Sequence, residues 1–228
     1  MKFRKKQVPK FLDHVFGFFP IFHFLFSITL MAINQITLSI LFLYLAPPII
    51  FRILLIIYQT PKSLTYIGKK STSGNLWYLS YQLQKNFEVF KFLEGILKLV
   101  PELYSHWLRL WGSKIGKKIN WTSGCEVVDR PFLEIGDRCL IGNQTYISAH
   151  AIKKSNEKYL LYLKKPIIGN DVVTGFRSTI GPGAIIGNRC FLDSGAAIYP
   201  NQILKEGEKY ERFEELSQSS YDFLFQRN

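Results

Sequence analysis

Between Ile115 and Ile198 the chain repeats with a period of six residues. The clearest run is Ile168-Gly169, Thr174-Gly175, Ile180-Gly181, Ile186-Gly187, Leu192-Asp193 and Ile198-Tyr199. Ile135-Gly136, Ile141-Gly142 and Ile147-Ser148 precede it, and Ile115, Trp121 and Val127 precede those. A second column runs four residues behind: Ile119, Cys125, Cys139, Thr145, Ala151, Val172, Ser178, Ala184, Cys190 and Ala196. A helix needs a period of roughly 3.6 and a half-buried strand a period of about two, so neither fits. A prism of three short parallel strands per coil does. The residue at i fills the interior, the residue at i+1 is expected to turn the corner with φ > 0, and the small residue at i+4 tucks inside the bend.

Two irregularities interrupt the period. Val127 and Ile135 are eight residues apart instead of six, which makes the chain bulge around Asp129-Arg130-Pro131. Ile147 and Ile168 are 21 apart, and Lys153–Lys165 carries no hexad pattern. Residues 151–166 are therefore expected to leave the prism as a loop. After Pro200 the repeats are read as stopping, with Glu206–Gln218 forming a short terminal helix.

Ahead of the repeats, residues 14–51 contain no Lys, Arg, Asp or Glu. A single span needs ~20 apolar residues, so the stretch suits two short spans with Asn34-Gln35 as the turn. A cleaved signal peptide is excluded by the length and by the second apolar run after Ala32. Lys2, Arg4, Lys5, Lys6 and Lys10 flank one end; Arg52, Lys62, Lys69 and Lys70 flank the other. By the positive-inside rule both ends face the cytoplasm. Residues 60–75 read as a polar linker. Residues 77–111 read as an amphipathic helix, broken or restarted at Pro101, that either lies in the bilayer interface or covers the open end of the prism. The resulting organisation is a membrane anchor of two hydrophobic helices (1–60), a linker and capping helix (61–111), the β-helix with its loop (112–203) and a C-terminal tail (204–228). Deleting residues 1–75 removes no repeat, so it is expected to release a soluble protein. The net charge of +12 raises nucleic acid as a partner, but the basic residues are scattered and flank apolar stretches. An anionic lipid surface accounts for those near the membrane, and no nucleic-acid partner is expected. Cys125, Cys139 and Cys190 all fall in the small i+4 column, which makes them packing residues in a reducing compartment.

The stretch Ile168-Gly-Asn-Asp-Val-Val-Thr-Gly-Phe-Arg-Ser-Thr-Ile-Gly-Pro-Gly-Ala-Ile-Ile-Gly-Asn-Arg-Cys190 resembles the left-handed β-helix acyltransferases of the hexapeptide-repeat family. The resemblance covers residues 110–203. It implies an all-β, left-handed parallel β-helix of three-strand coils, here with an N-terminal transmembrane helical hairpin and a linking amphipathic helix. It also implies a homotrimer with sites between subunits, and acyl-CoA as donor.

Acyl transfer needs a base near neutral pKa, oxyanion donors and a place for the donor's phosphates. Of His14, His23, His106 and His150, only His150 lies in the repeats, where the chain leaves the coil. It is the candidate base; its alternative is a solvated corner residue. One coil earlier, allowing for the bulge, Asp129 and Arg130 lie under Ala149 and His150, and Asp129 is the candidate orienting carboxylate. In galactoside-type members the catalytic histidine lies further into the corresponding loop. Ile152–Lys165 has none, so their acceptor geometry does not transfer. The resemblance puts the pantetheine arm along coils beyond residue 168, with oxyanion donors around Thr174-Gly175. Lys164 and Lys165, with Lys153, Lys154 and Lys158, would meet the nucleotide phosphates. No metal is expected. The reading is thus an acyl-CoA-dependent transferase, O- before N-, acting on a membrane-associated or lipid- or sugar-linked acceptor at the cytoplasmic membrane face. The alternatives are a non-catalytic membrane scaffold on the same prism, and a zinc carbonic anhydrase, which would need three converging histidines.

Overall fold

A computed structural model of the chain describes residues 7–58, 64–67, 76–155 and 158–211. Two apolar helices open it, α1 (Phe11–Ala32) and α2 (Ile36–Ile57). The chain reverses between them at Asn34, whose φ of 62° suits a residue tolerant of the left-handed region. Each is 22 residues long and apolar enough to cross a bilayer, with most of its large side chains exposed. Strand β1 (Leu64–Ile67) follows, then α3 (Leu76–Val89), α4 (Phe92–Leu99) and α5 (Leu103–Trp111).

The helix expected over 77–111, with a break or restart at Pro101, is in fact three helices. Pro101 has no amide to donate, and Val100 before it is extended at ψ 123°, which ends α4. A second break at Phe90-Lys91 carries no proline or glycine signal.

The repeats form a parallel β-solenoid of about five coils. The first coil holds β2 (Lys114–Ile115), β3 (Asn120–Trp121) and β4 (Glu126–Val127); the second holds β5 (Glu134–Ile135), β6 (Leu140–Ile141) and β7 (Tyr146–Ile147). A hairpin of β8 (His150–Ser155) and β9 (Lys158–Leu163) intervenes. The third coil is β10 (Ile167–Ile168), β11 (Val173–Thr174) and β12 (Thr179–Ile180); the fourth is β13 (Ile185–Ile186), β14 (Phe191–Leu192) and β15 (Ala197–Ile198). β16 (Ile203–Leu204) and β17 (Lys209–Tyr210) begin a fifth. Three parallel sheets result, β2-β5-β10-β13-β16, β3-β6-β11-β14-β17 and β4-β7-β12-β15. The second residue of nearly every strand is buried in the prism and the first faces outward.

Four expectations are corrected. First, positive φ does not fall at i+1. It falls at i+3, at Lys118, Arg138, Gln144, Asp171, Arg177, Gly183, Arg189, Gly195, Asn201 and Gly207. The strand amides donate forward to the next coil, as Gly136 N to Ile168 O and Gly169 N to Ile186 O do. Most left-handed residues donate backward instead: Asp171 N to Asp137 O, Arg189 N to Asn170 O, Gly207 N to Asn188 O. The left-handed residue thus reverses the amide and ties each coil to its predecessor. The glycines at i+1 answer a different need, since a Cβ on Gly142 would lie 2.2 Å from the Thr174 carbonyl oxygen, and one on Gly175 would lie 2.5 Å from Ser194 N.

Second, the prism does not stop after Pro200. Leu204 and Tyr210 continue the period, pairing with Ile186 and Leu192. Tyr199 and Lys205 replace glycine because no described coil stacks beyond them to crowd a side chain. Residues 206–211 form a turn and strand β17, not helix, and the rest of the expected helix lies outside the described residues. Third, 151–166 is not an irregular loop but an antiparallel hairpin. The register Ile168↔Ile135 and Ile180↔Ile147 shows that Ile147 to Ile168 is one corner step with the hairpin inserted. Fourth, residues 64–67 of the expected polar linker form β1, antiparallel to β9, which completes a sheet of order β1-β9-β8. The other linker residues lie outside the described residues.

The helices cap the first coil, which has no predecessor. Lys118 N donates to Glu102 Oε1 at 2.6 Å, in place of an earlier carbonyl. The carbonyls with no amide above them are taken by side chains: Ile115 O by Arg109 Nε at 2.8 Å, Gly116 O by the same guanidinium, and Cys125 O by Lys98 Nζ at 2.6 Å. Tyr104, Trp107, Leu108 and Trp111 pack beneath, and Phe51 of α2 meets Trp111 and Phe132 at ring distances of 6.2 and 6.1 Å.

Candidate active site

The bulge after β4 and the departure of the hairpin after β7 fall at the same corner of successive coils. Parallel pairing of Val127 with Ile147 fixes the register, and it sets Asp129 beside Ala149. His150 Nδ1 lies 2.7 Å from Asp129 Oδ2 and 2.9 Å from Oδ1. An ionised carboxylate only accepts, so Nδ1 carries the hydrogen and Nε2 is left as an acceptor. The imidazole is one-fifth exposed while Asp129 is buried. Sequence register therefore brought this pair together.

Asp129 has further donors. Ala149 N reaches Oδ2 at 2.8 Å and Ser148 Oγ at 3.3 Å, while Trp77 Nε1 of α3 donates to Oδ1 at 3.0 Å. The Trp77 ring also stands 4.9 Å from the His150 ring, tilted at 58°. Trp77 was not singled out from sequence. Its only signal was an aromatic with a polar tip at the start of an otherwise ordinary amphipathic helix.

Next to the dyad lies a buried charge cluster. Arg130 is fully enclosed and pairs with Glu94, and Gln84 Oε1 accepts from Arg130 N at 2.8 Å and Nη1 at 3.1 Å. Tyr104 donates to Glu94 Oε2 at 3.2 Å. Burial, reinforced by Glu94, pushes the Tyr104 phenol well above its ordinary range. Glu88 also senses Asp129, His150 and Arg130. Burial pushes its carboxyl up, partly opposed by Arg130. Glu88, Glu94 and Arg130 line a cleft of about 470 Å³ between α3–α4 and the first coil.

Of the other expected site residues, Lys164 adjoins the dyad along the backbone, its amide donating to Ala149 O at 2.9 Å, while Thr174 ends β11 in the third coil and Gly175 follows it. Thr174 faces the prism interior, where its Oγ1 accepts from Gly142 N at 2.9 Å and meets Thr145 Oγ1 at 3.0 Å. Gly175 N already donates to Leu192 O at 2.7 Å. The Gly175 amide is thus committed to the ladder and is not a free oxyanion donor, and the Thr174 side chain points inward. Lys164 is exposed at the foot of the hairpin and donates to Asn201 Oδ1 at 2.9 Å; Lys165 beside it is also exposed. His23 is buried between helices, 3.0 Å from Asn86 Nδ2, and His106 lies 2.7 Å from Glu102 O. Burial raises the thiols of Cys125, Cys139 and Cys190, which leaves them poor nucleophiles. Among the described residues no three His, Cys, Asp or Glu side chains converge as a metal site.

Comparison with known proteins bears on the repeats. A family model described as the hexapeptide repeat of succinyl-transferase matches residues 167–200. No curated protein matches the chain. Among solved structures, a maltose O-acetyltransferase from Clostridium difficile 630 is 20% identical over 53% of this chain and 81% of its own, with a TM-score of 0.36. Serine acetyltransferase isoform 3 from Entamoeba histolytica, in complex with cysteine, is 14% identical over 96% and 86%, with a TM-score of 0.36. A hexapeptide-repeat acetyltransferase from Vibrio cholerae O1 biovar eltor, complexed with acetyl coenzyme A, is 20% identical over 52% and 82%, with a TM-score of 0.31.

Proposed function

We propose that this chain is an acyl-CoA-dependent acyltransferase of the left-handed β-helix type. It moves an acyl group, most simply acetyl, to a hydroxyl, or less readily an amine, of an amphiphilic or lipid-linked acceptor. The observation that carries this reading is the His150–Asp129 pair at the corner where the prism opens. Asp129 holds the imidazole tautomer, and Nε2 takes the acceptor hydroxyl's proton as its oxygen attacks the thioester carbonyl. The tetrahedral adduct collapses, the C–S bond breaks, and the imidazolium returns the proton to the departing thiolate. Lys164 and Lys165 offer cations for the nucleotide phosphates of the donor.

We place α1 and α2 across the cytoplasmic membrane as a hairpin anchor with the prism on the cytoplasmic side. Their apolar surfaces, including Phe18, Phe22, Leu25 and Ile53, are left exposed by the described residues, and a bilayer would cover them. A lipid-linked acceptor is concentrated at such a membrane, whereas a soluble one gains nothing from it. The outward residues Leu140, Phe176 and Phe191 are exposed apolar groups suited to burial in a homotrimer. The test is His150→Ala in the full-length protein. It should cut acyl transfer about 10²–10⁴-fold with the oligomer and CoA binding intact, and Asp129→Asn should cost less. Unchanged transfer would overturn the role given to His150, and a wild-type chain that consumes no thioester would return the prism to a scaffold.

A further inference from the structure

The cleft between α3–α4 and the first coil is not absorbed by the mechanism. Its mouth is apolar: Phe92 is 64% exposed there, beside Gly95, and Val89, Ile96 and Leu99 continue an exposed apolar surface along the helices. Its buried lining carries Arg130 beside Phe87, Cys125 and Val127, with Glu88 half-buried and Tyr146 exposed at 41%. The volume of about 470 Å³ is that of a small-molecule site.

The charges in this cleft decide what it fits. Three acidic side chains (Glu88, Glu94, Glu126) and three basic ones (Lys91, Lys98, Arg130) line it. Lys91 pairs with Glu126 at the rim, and Glu94 lies between Arg130 and Lys98. No cation is left over for an anionic head group. Glu88 is the exception: its Oε1 is shut from solvent and has no hydrogen-bond partner among the described residues. A buried carboxyl oxygen without a donor is costly, and a ligand O–H would relieve it. Apolar mouth, balanced charge and one waiting acceptor together describe an uncharged polyhydroxyl head with a hydrophobic tail.

We propose that this cleft binds the acceptor, a neutral hydroxylated amphiphile, with Glu88 accepting a hydrogen bond from its head and the tail leaving past Phe92. The proposal rests on the acyltransferase reading for the word acceptor, but its binding test does not need turnover.

The probe is radiolabelled n-octyl glucoside below its micellar concentration, titrated onto the full-length protein in phosphatidylcholine nanodiscs, with empty discs subtracted. Saturable binding is expected. Gly95→Trp should abolish it: Gly95 lines the cleft, and a Cβ there meets nothing within 4 Å, so the added side chain starts from open space. Glu88→Leu should weaken binding about tenfold, the worth of one hydrogen bond to a carboxylate, while Glu88→Gln keeps an acceptor and stays within about threefold. His150→Ala should leave binding unchanged even as transfer falls, which separates failure of the cleft from failure of the catalytic assignment. Absence of saturable binding to wild type, or binding indifferent to Gly95→Trp, would overturn the proposal. So would a probe of dioctanoyl phosphatidate competing more strongly than the glucoside, because it would show that the cleft prefers an anion.

Discussion

Asp129 is held by more donors than a turn residue needs. Its carboxylate takes hydrogen bonds from a histidine, an indole, a hydroxyl and a backbone amide, and it is buried. That arrangement fixes the imidazole's orientation before any ligand arrives, the usual role of the third member in a base–carboxylate pair. Trp77 is then a positioning residue. Trp77→Phe keeps the ring against His150 and removes only the indole donor. We expect acyl transfer to fall about tenfold, in keeping with the loss of one hydrogen bond to a charged group, with CoA affinity unchanged. Unchanged transfer with a lower melting temperature would mark Trp77 as structural only.

The solenoid's corners contain the sharpest test of how its elements stack. Gly142→Ala puts a methyl 2.2 Å from the Thr174 carbonyl oxygen and 2.7 Å from that of Gly175, backbone atoms that cannot step aside. It should destabilise the prism by about 3 kcal/mol, at the upper end for overpacking. Gly95→Ala, in an open stretch of α4, should instead stabilise by up to about 1 kcal/mol through helix propensity. Denaturant melts in detergent distinguish the two signs. These same corners explain what sequence could and could not reveal. The period of six and the stacking of Asp129 under Ala149 were legible because parallel coils repeat register without slippage. The last coil was missed because the glycine signature depends on a following coil, and Tyr199 and Lys205 have none described. Trp77, Glu88 and the Arg130–Glu94 pair escaped because they depend on how separate helices dock, about which a local period says nothing. The left-handed residue was misplaced because Arg, Asp and Asn occupy it as often as Gly does.

For the whole molecule, the two N-terminal helices and the prism share one core. Phe51 is fully buried between α2 and the cap, Trp107 Nε1 donates to Tyr44 O at 2.9 Å, and β1 is hydrogen-bonded to β9. The sequence suggested that removing residues 1–75 would free a soluble prism. The structure argues the reverse, because the cut would bare the faces of Trp107, Trp111 and Phe132. Phe51 alone contributes ~2–3 kcal/mol by burial. We expect the truncated chain to aggregate when lysate is clarified, and to regain solubility only with detergent. A monodisperse, soluble product would mean that the helices are docked more weakly than their packing implies.

The direction of the strand amides has a consequence for how this chain is made. Coil by coil, the forward-donating amides of the ladders find their carbonyls in residues that the ribosome has not yet produced: Gly136 waits for Ile168, Gly169 for Ile186, Gly187 for Leu204. The nascent prism always carries an unfinished lower edge, and each newly emerged turn completes the one before it. Only the start is sealed early, by Glu102, Arg109 and Lys98, which precede the coils they cover. Synthesis therefore lays down a lid first and then adds storeys beneath it, in the order in which they can be held.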